Sequence, residues 1–193
     1  MTMPLASRIL ARTCVAALLL GSGGLVTATA AQAADASPDL GRYQRVQPRV
    51  DYTVYGPMTS FGLPRTSFQV NSCGNGRSDY ITAEYGQQTT VTTPWLTLQE
   101  SPGSDGCTDG PDGVGPAATF TANGARAQVL GSCAGGKSTC AHSTQALVKK
   151  QGYTIVTLPG SAARPTKTHI EVYSQAMTLA QIKAFVRGLV PAA

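Results

Sequence analysis

The chain has 193 residues, of which 13% are charged, and a formal net charge of +5 at pH 7. Its basic residues are scattered, and Lys149-Lys150 are neighbours without a basic stripe around them. Nucleic-acid binders need such a stripe, interleaved with aromatic side chains, to neutralise phosphates. The composition therefore excludes nucleic acid as a partner.

The first 33 residues have the pattern of a cleavable secretory signal. They contain two arginines and no acid, an uncharged apolar run at 15–26, and small residues before Ala33. The run is shorter than the roughly 20 apolar residues of a membrane-spanning helix and is interrupted by glycines. We expect cleavage after Ala33, or after Ala30, a secreted product without a membrane segment, and a mature net charge lowered by two.

The predicted mature chain is a flexible lead-in over 34–50 and one α+β domain over 51–193. Short β-branched and aromatic runs, separated by Gly, Pro, Asn and Ser, are typical of strands and turns. Strands are expected near 52–56, 66–72, 78–85 and 90–99.

A loop at 101–116 follows, in which three aspartates alternate with glycines: Asp105, Asp109 and Asp112. Carboxylates and loop carbonyls are ligands for calcium, which takes six to eight oxygens. Asp and Gly are also ordinary turn formers. We predict turns and no cofactor, with a calcium site as the alternative.

The best hairpin signal is Asn123-Gly124, which suits a type I′ turn because both of its central residues need positive φ. Its strands would turn alternate residues toward a core, namely Phe120, Ala122, Ala125, Ala127 and Val129.

Residues 131–138 match the phosphate-loop pattern G-x-x-x-x-G-K-S. A phosphate loop joins a parallel strand to a helix, whose N-terminus binds the phosphate. Here the preceding strand belongs to a predicted hairpin, and two cysteines flank the loop. We interpret it as a glycine-rich turn closed by a disulfide and expect no nucleotide.

A further strand pair is predicted at 142–149 and 152–158, and a last strand at 168–173. On the last strand His169, Glu171 and Tyr173 alternate, so they share one face. An acid–base site could lie there, but a solvent-facing strand has the same pattern.

The C-terminus carries the clearest helix signal. Thr178 with Gln181 forms a capping box, and an apolar stripe at helical spacing follows until Pro191, which we expect to end the helix. The predicted fold class is therefore α+β: an antiparallel meander with one C-terminal helix packed on a face.

Four cysteines remain after the leader: Cys73, Cys107, Cys133 and Cys140. An even number in an exported chain indicates disulfides. Three pairings are open, and we favour Cys73–Cys107 with Cys133–Cys140 because the second pair closely brackets a glycine-rich segment. Zinc ligands usually come as Cys-x2–4-Cys pairs, which this chain lacks.

The second half resembles small extracytoplasmic domains of unknown function in Gram-positive secreted proteins and lipoproteins, and at the outer end of membrane-bound sigma-factor regulators. The resemblance rests on the order of five segments: 96–101, 122–129, 152–156, 170–174 and 177–182. It implies a short β-meander closed by a terminal helix. It transfers no site residue, and the cysteines and acidic loop are not features of that family.

No Gly-x-Ser-x-Gly or His-Glu-x-x-His motif occurs. We therefore predict a non-catalytic binding module for an extracellular protein or cell-wall partner, with His169, Glu171 and Tyr173 on its binding face. One alternative is a protease inhibitor that presents Lys137 on the Cys133–Cys140 loop. The other is a secreted hydrolase that uses His169 and Glu171.

Overall fold

The computed structural model describes residues 40–72, 79–103, 115–132 and 143–192. No helix in these ranges is long and apolar enough to cross a membrane. The elements, in chain order, are α1 (Leu40–Val46), a 3-10 turn (Gln47–Arg49), β1 (Tyr55–Pro57), β2 (Arg65–Ser72), β3 (Asp79–Gly86), β4 (Trp95–Pro102), β5 (Ala118–Ala122), β6 (Ala125–Gly131), α2 (Gln145–Lys150), β7 (Gly152–Leu158), β8 (Thr168–Gln175), α3 (Leu179–Arg187) and β9 (Leu189–Pro191).

Seven of these strands form one antiparallel sheet in the order β2-β3-β4-β8-β7-β6-β5, and β1 pairs with β9 in a separate ribbon. The predicted antiparallel α+β class is confirmed. The sheet is, however, two meanders, β2-β3-β4 and β5-β6-β7-β8, joined side by side where β4 pairs with β8. A local pattern predicts each meander, whereas the β4–β8 pairing is a long-range contact.

One face of the sheet, here called the core face, carries the alternating apolar residues predicted by strand periodicity. Ile81, Leu98 and Val172 are fully buried on it. All three described helices pack there: Tyr43 of α1 and Phe185 of α3 both contact Tyr85. Burying one large apolar side chain contributes about 1.5–3 kcal/mol, so this layer supplies most of the stabilisation.

The hairpin between β5 and β6 turns where it was predicted. Asn123 and Gly124 have φ angles of 48° and 77°, as a type I′ turn requires. The Asn123 side-chain amide also donates to the carbonyl of Leu189 at 2.7 Å, which ties the turn to β9.

The capping box of α3 is confirmed. Thr178 Oγ1 accepts from the backbone N–H of Gln181, and Gln181 Oε1 accepts from that of Thr178. The helix ends at Gly188 and not at Pro191, which instead lies in β9 opposite Tyr55. Proline is tolerated there because both strands of a two-stranded ribbon are edge strands.

The strand predicted at 142–149 is wrong, because residues 145–150 form α2 with Thr144 as its N-cap. The helix lies against Gly131, where an added Cβ would stand 2.6 Å from Leu147 Cβ. Gly131 begins the phosphate-loop match, and it ends an antiparallel hairpin strand, as expected. Its lack of a side chain admits the helix backbone.

Residues 40–50 differ from the loose lead-in expected there. They form α1 and the 3-10 turn, and the side chain of Tyr43 is fully buried. Its hydroxyl lies 2.6 Å from that of Tyr85, and its ring meets Phe68 edge-on at 5.0 Å. Val46 and Val50 of the same segment are also buried, so apolar side chains hold the segment against the domain although about half of its residues are polar or charged.

Candidate functional site

The other face of the sheet, here called the polar face, carries hydroxyl, amide, carboxylate and imidazole groups along its three central strands. Register places Glu171 of β8 between Gln99 of β4 and Ile155 of β7. Tyr173 lies in the same way between Thr97 and Tyr153, and His169 between Ser101 and Thr157. The loop at 88–93 meets one end of this face through hydrogen bonds with Gln175.

The three residues predicted for the binding face lie together here and are joined by hydrogen bonds. Tyr173 donates its hydroxyl to Glu171 Oε2 at 3.1 Å, and His169 Nε2 lies 3.2 Å from Glu171 Oε1. Because strand residues two apart point the same way, one carboxylate can reach both neighbours. Glu171 is only 3% exposed. It therefore positions His169 and Tyr173, whose side chains are less buried.

The second nitrogen of the His169 ring also has a partner. Nδ1 lies 3.4 Å from Thr157 Oγ1 on the neighbouring strand. If Nε2–H donates to Glu171 Oε1, Nδ1 is left as an acceptor that faces the Thr157 hydroxyl. This second contact is long for a hydroxyl hydrogen bond, so Glu171 is the partner that orients the imidazole ring.

An aromatic pair completes the row on β7. The rings of Tyr153 and Tyr173 pack at 4.8 Å with an interplanar angle of 53°. Burial, together with the neighbouring Glu171 and Tyr173, raises the pKa of Tyr153, which therefore stays a neutral phenol. The hydroxyls of Tyr153 and Thr97 are both buried without a well-formed hydrogen bond in the described part of the chain. Such groups cost stability wherever they remain unpaired.

Several predicted site residues lie outside the described residues. These are Cys73, Cys107, Cys133 and Cys140, the aspartates Asp105, Asp109 and Asp112, and Lys137 of the proposed inhibitory loop. The disulfides, the calcium alternative and the inhibitor therefore stay predictions. Within the described ranges, no group of three His, Cys, Asp or Glu side chains is arranged to hold a metal ion.

The sequence did not identify three further residues of this face: Thr97, Tyr153 and Thr157. Each of them contacts or lies opposite His169 or Tyr173. Their signal is cross-strand register, which becomes readable only once β8 is known to lie between β4 and β7. Alternation along a single strand places residues on a face but does not identify the residues opposite them.

Fold and site together define an α+β domain with its helices on one side of the sheet and a polar row on the other. Comparison with protein-family models, with curated proteins and with solved structures finds no match to this chain. The chemistry of the site itself is therefore the guide to function.

Proposed function

We propose that this chain is a secreted, non-catalytic binding module whose polar face contacts an extracellular protein or a cell-wall polymer. The observation that carries the proposal is the one-sided layering of the sheet. The described helices pack on the core face, whereas the polar face holds the hydrogen-bonded row of His169, Glu171 and Tyr173. The export pattern of residues 1–33 and the two proposed disulfides suit an extracellular site of action.

The row has the properties of a pre-organised contact surface. Glu171 restrains His169 and Tyr173, so a partner that binds them meets side chains that have already lost much of their rotational freedom. Pre-organisation lowers the entropy cost of association. Tyrosine adds a flat apolar ring with a polar tip, a combination enriched at binding surfaces.

Co-sedimentation with purified Gram-positive cell walls, and pull-down from culture supernatant, test the proposal. The variant His169→Ala/Tyr173→Phe should lose most of the binding seen with the unmodified protein, while its circular dichroism spectrum is retained. The matched control is Gln145→Ala/Lys149→Ala, which changes two exposed positions on α2, a helix on the core-face side of the sheet. The proposal would be contradicted if both variants bound equally well, or if none of the three proteins bound.

A second candidate, a hydrolase, is favoured by one observation. Thr157, His169 and Glu171 form a hydroxyl–imidazole–carboxylate chain, the order used for nucleophilic catalysis. It ranks second because 3.4 Å is beyond the usual distance for a hydroxyl hydrogen bond, so Thr157 is poorly activated.

Hydrolysis of a chromogenic ester tests this candidate. A hydrolase that uses this chain should lose activity in both Thr157→Val and His169→Ala. The hydrolase candidate is eliminated if the unmodified protein shows no activity, or if activity survives in His169→Ala.

A further inference from the structure

A groove with a positively charged rim lies between α1 and the edge strand β2, away from the row on the polar face. Its volume is about 300 Å³. The described residues that line it include no acid; they are Arg42, Arg45, Val46, Arg49, Phe68 and Val70.

Helical spacing builds the rim of this groove. Positions 42, 45 and 49 are separated by three and four residues, so their side chains follow one side of α1 and the 3-10 turn. Tyr43 and Val46 point from the same segment into the core. The helix that anchors the N-terminal segment therefore also displays a row of guanidinium groups.

The groove wall combines this charge with an aromatic face. Arg42 lies over the Phe68 ring at 5.5 Å, and Arg65 approaches the same ring at 5.8 Å. Val70 extends the apolar strip along β2. A ligand in the groove would therefore meet guanidinium groups on one side and hydrocarbon on the other.

Two of these arginines have no carboxylate partner among the described residues. Arg42 and Arg49 are exposed, and neither forms an ion pair with a carboxylate in the described part of the chain. Like charges gathered on one short segment repel, and an anion placed among them relieves that repulsion. The planar guanidinium also matches phosphate and carboxylate oxygens with two parallel hydrogen bonds.

We propose that this groove binds a compact anionic ligand that carries a phosphate or carboxylate group beside an apolar portion. The anion would lie between Arg42 and Arg49, and the apolar portion against Phe68 and Val70. The volume is at the lower end of the range for small-molecule sites. The site is on different elements from the polar-face row, so the two proposals stand or fall separately.

Calorimetric titration at low salt tests the groove with two probes, inorganic phosphate and phenyl phosphate. We expect one site, with phenyl phosphate bound more tightly because its ring lies on Phe68. Arg42→Gln/Arg49→Gln should weaken both probes by about tenfold or more, since charge-assisted hydrogen bonds are lost. The matched control, Lys149→Gln/Lys150→Gln, removes the same charge from α2 and should bind as the unmodified protein does.

Phe68→Leu separates the two parts of the site, because it keeps an apolar side chain but removes the aromatic face. It should abolish the preference for phenyl phosphate and leave the affinity for inorganic phosphate nearly unchanged.

Sedimentation with vesicles of phosphatidylglycerol and phosphatidylcholine distinguishes a lipid phosphate from a free one. Binding that depends on Arg42 and Arg49, in solution or on vesicles, supports the proposal and identifies the source. No binding to either probe or to vesicles overturns it. Binding that the arginine and lysine variants weaken equally also overturns it, because it reflects net charge alone.

Discussion

The two faces of the sheet each bury one carboxylate within the β4–β8 pair, and the two carboxylates are held in opposite ways. Glu171, on the polar face, has both oxygens in contact with side-chain partners. Glu100, fully buried on the core face opposite Ile170, accepts from the backbone N–H of Tyr55 at 2.9 Å through Oε2. Its Oε1 has no hydrogen-bond partner in the described residues.

This difference separates a positioning carboxylate from a structural one. Burial raises the pKa of Glu100 well above its ordinary value, although the hydrogen bond from Tyr55 opposes the shift. A protonated Glu100 avoids the large cost of a buried unpaired charge. Its contact with Tyr55 ties the β1–β9 ribbon to the sheet, whereas Glu171 orders the row on the opposite face.

The largest expected effect tests whether the core face carries the stability. Leu98→Ala should lower the free energy of unfolding by about 2–5 kcal/mol, because it leaves a cavity among fully buried side chains. Gln99→Ala, the next residue but on the polar face, should cost less, because it opens no cavity among fully buried apolar side chains. Urea denaturation measures both variants; equal losses would mean that both faces act as core.

The pH dependence of unfolding sharpens the contrast between the carboxylates. Because the folded-state pKa of Glu100 is raised above its unfolded value, near 4.5, its contribution is fully present below that value. The contribution is lost as pH rises toward and through the folded-state pKa, with a slope of at most about 1.4 kcal/mol per pH unit.

Glu100→Gln should flatten this decline and make the protein more stable than the unmodified chain at pH 8. Thermal unfolding from pH 4 to pH 9 measures the difference. Glu84→Gln, on the polar side of β3, is the control and should keep the decline. A slope that persists in Glu100→Gln would show that another group titrates.

A smaller effect is expected for the positioning carboxylate. Glu171→Gln should lower stability by about 1–2 kcal/mol, because it replaces one of the two acceptor oxygens that contact His169 and Tyr173 with an NH2 donor. Tyr173→Phe removes one of these bonds and should cost roughly half as much. Chemical denaturation compares the two; a neutral Glu171→Gln would mean that the row adds nothing to the fold.

The smallest effect concerns Thr97, whose buried hydroxyl has no hydrogen-bond partner in the described ranges. Thr97→Val keeps the shape and removes the unpaired group, so stability should stay the same or rise by up to about 1 kcal/mol. A destabilised variant would reveal a hydrogen bond to the Thr97 hydroxyl.

Local features were predictable wherever a few neighbouring residues decide the backbone. The Asn123-Gly124 turn and the Thr178 capping box both follow from short-range geometry, and both are confirmed. Weak local sequence patterns explain two errors. Residues 145–150 form too short a pattern to distinguish helix from strand, and 40–46 form only about two turns, in which Leu40, Tyr43 and Val46 are the apolar residues.

The candidate sites were less predictable because they depend on contacts between distant segments. Alternation placed His169, Glu171 and Tyr173 on one face, but their partner Thr157 belongs to another strand. The arginine groove had one sequence signal, the spacing of arginines at 42, 45 and 49. That spacing places them on one side only if the segment is helical. The opposing wall at Phe68 comes from β2, for which no local pattern predicts a partner.

By itself, the sequence determined the antiparallel α+β class, most strand positions, one tight turn and one helix cap, because backbone conformation there depends on adjacent residues. The tertiary structure alone decided that two meanders meet at β4 and β8, and that Glu100 enters the core while Glu171 orders the polar face. The physical reason is register. A shift of one residue in a strand exchanges its two faces, and the pairing partners that set register lie far away along the chain.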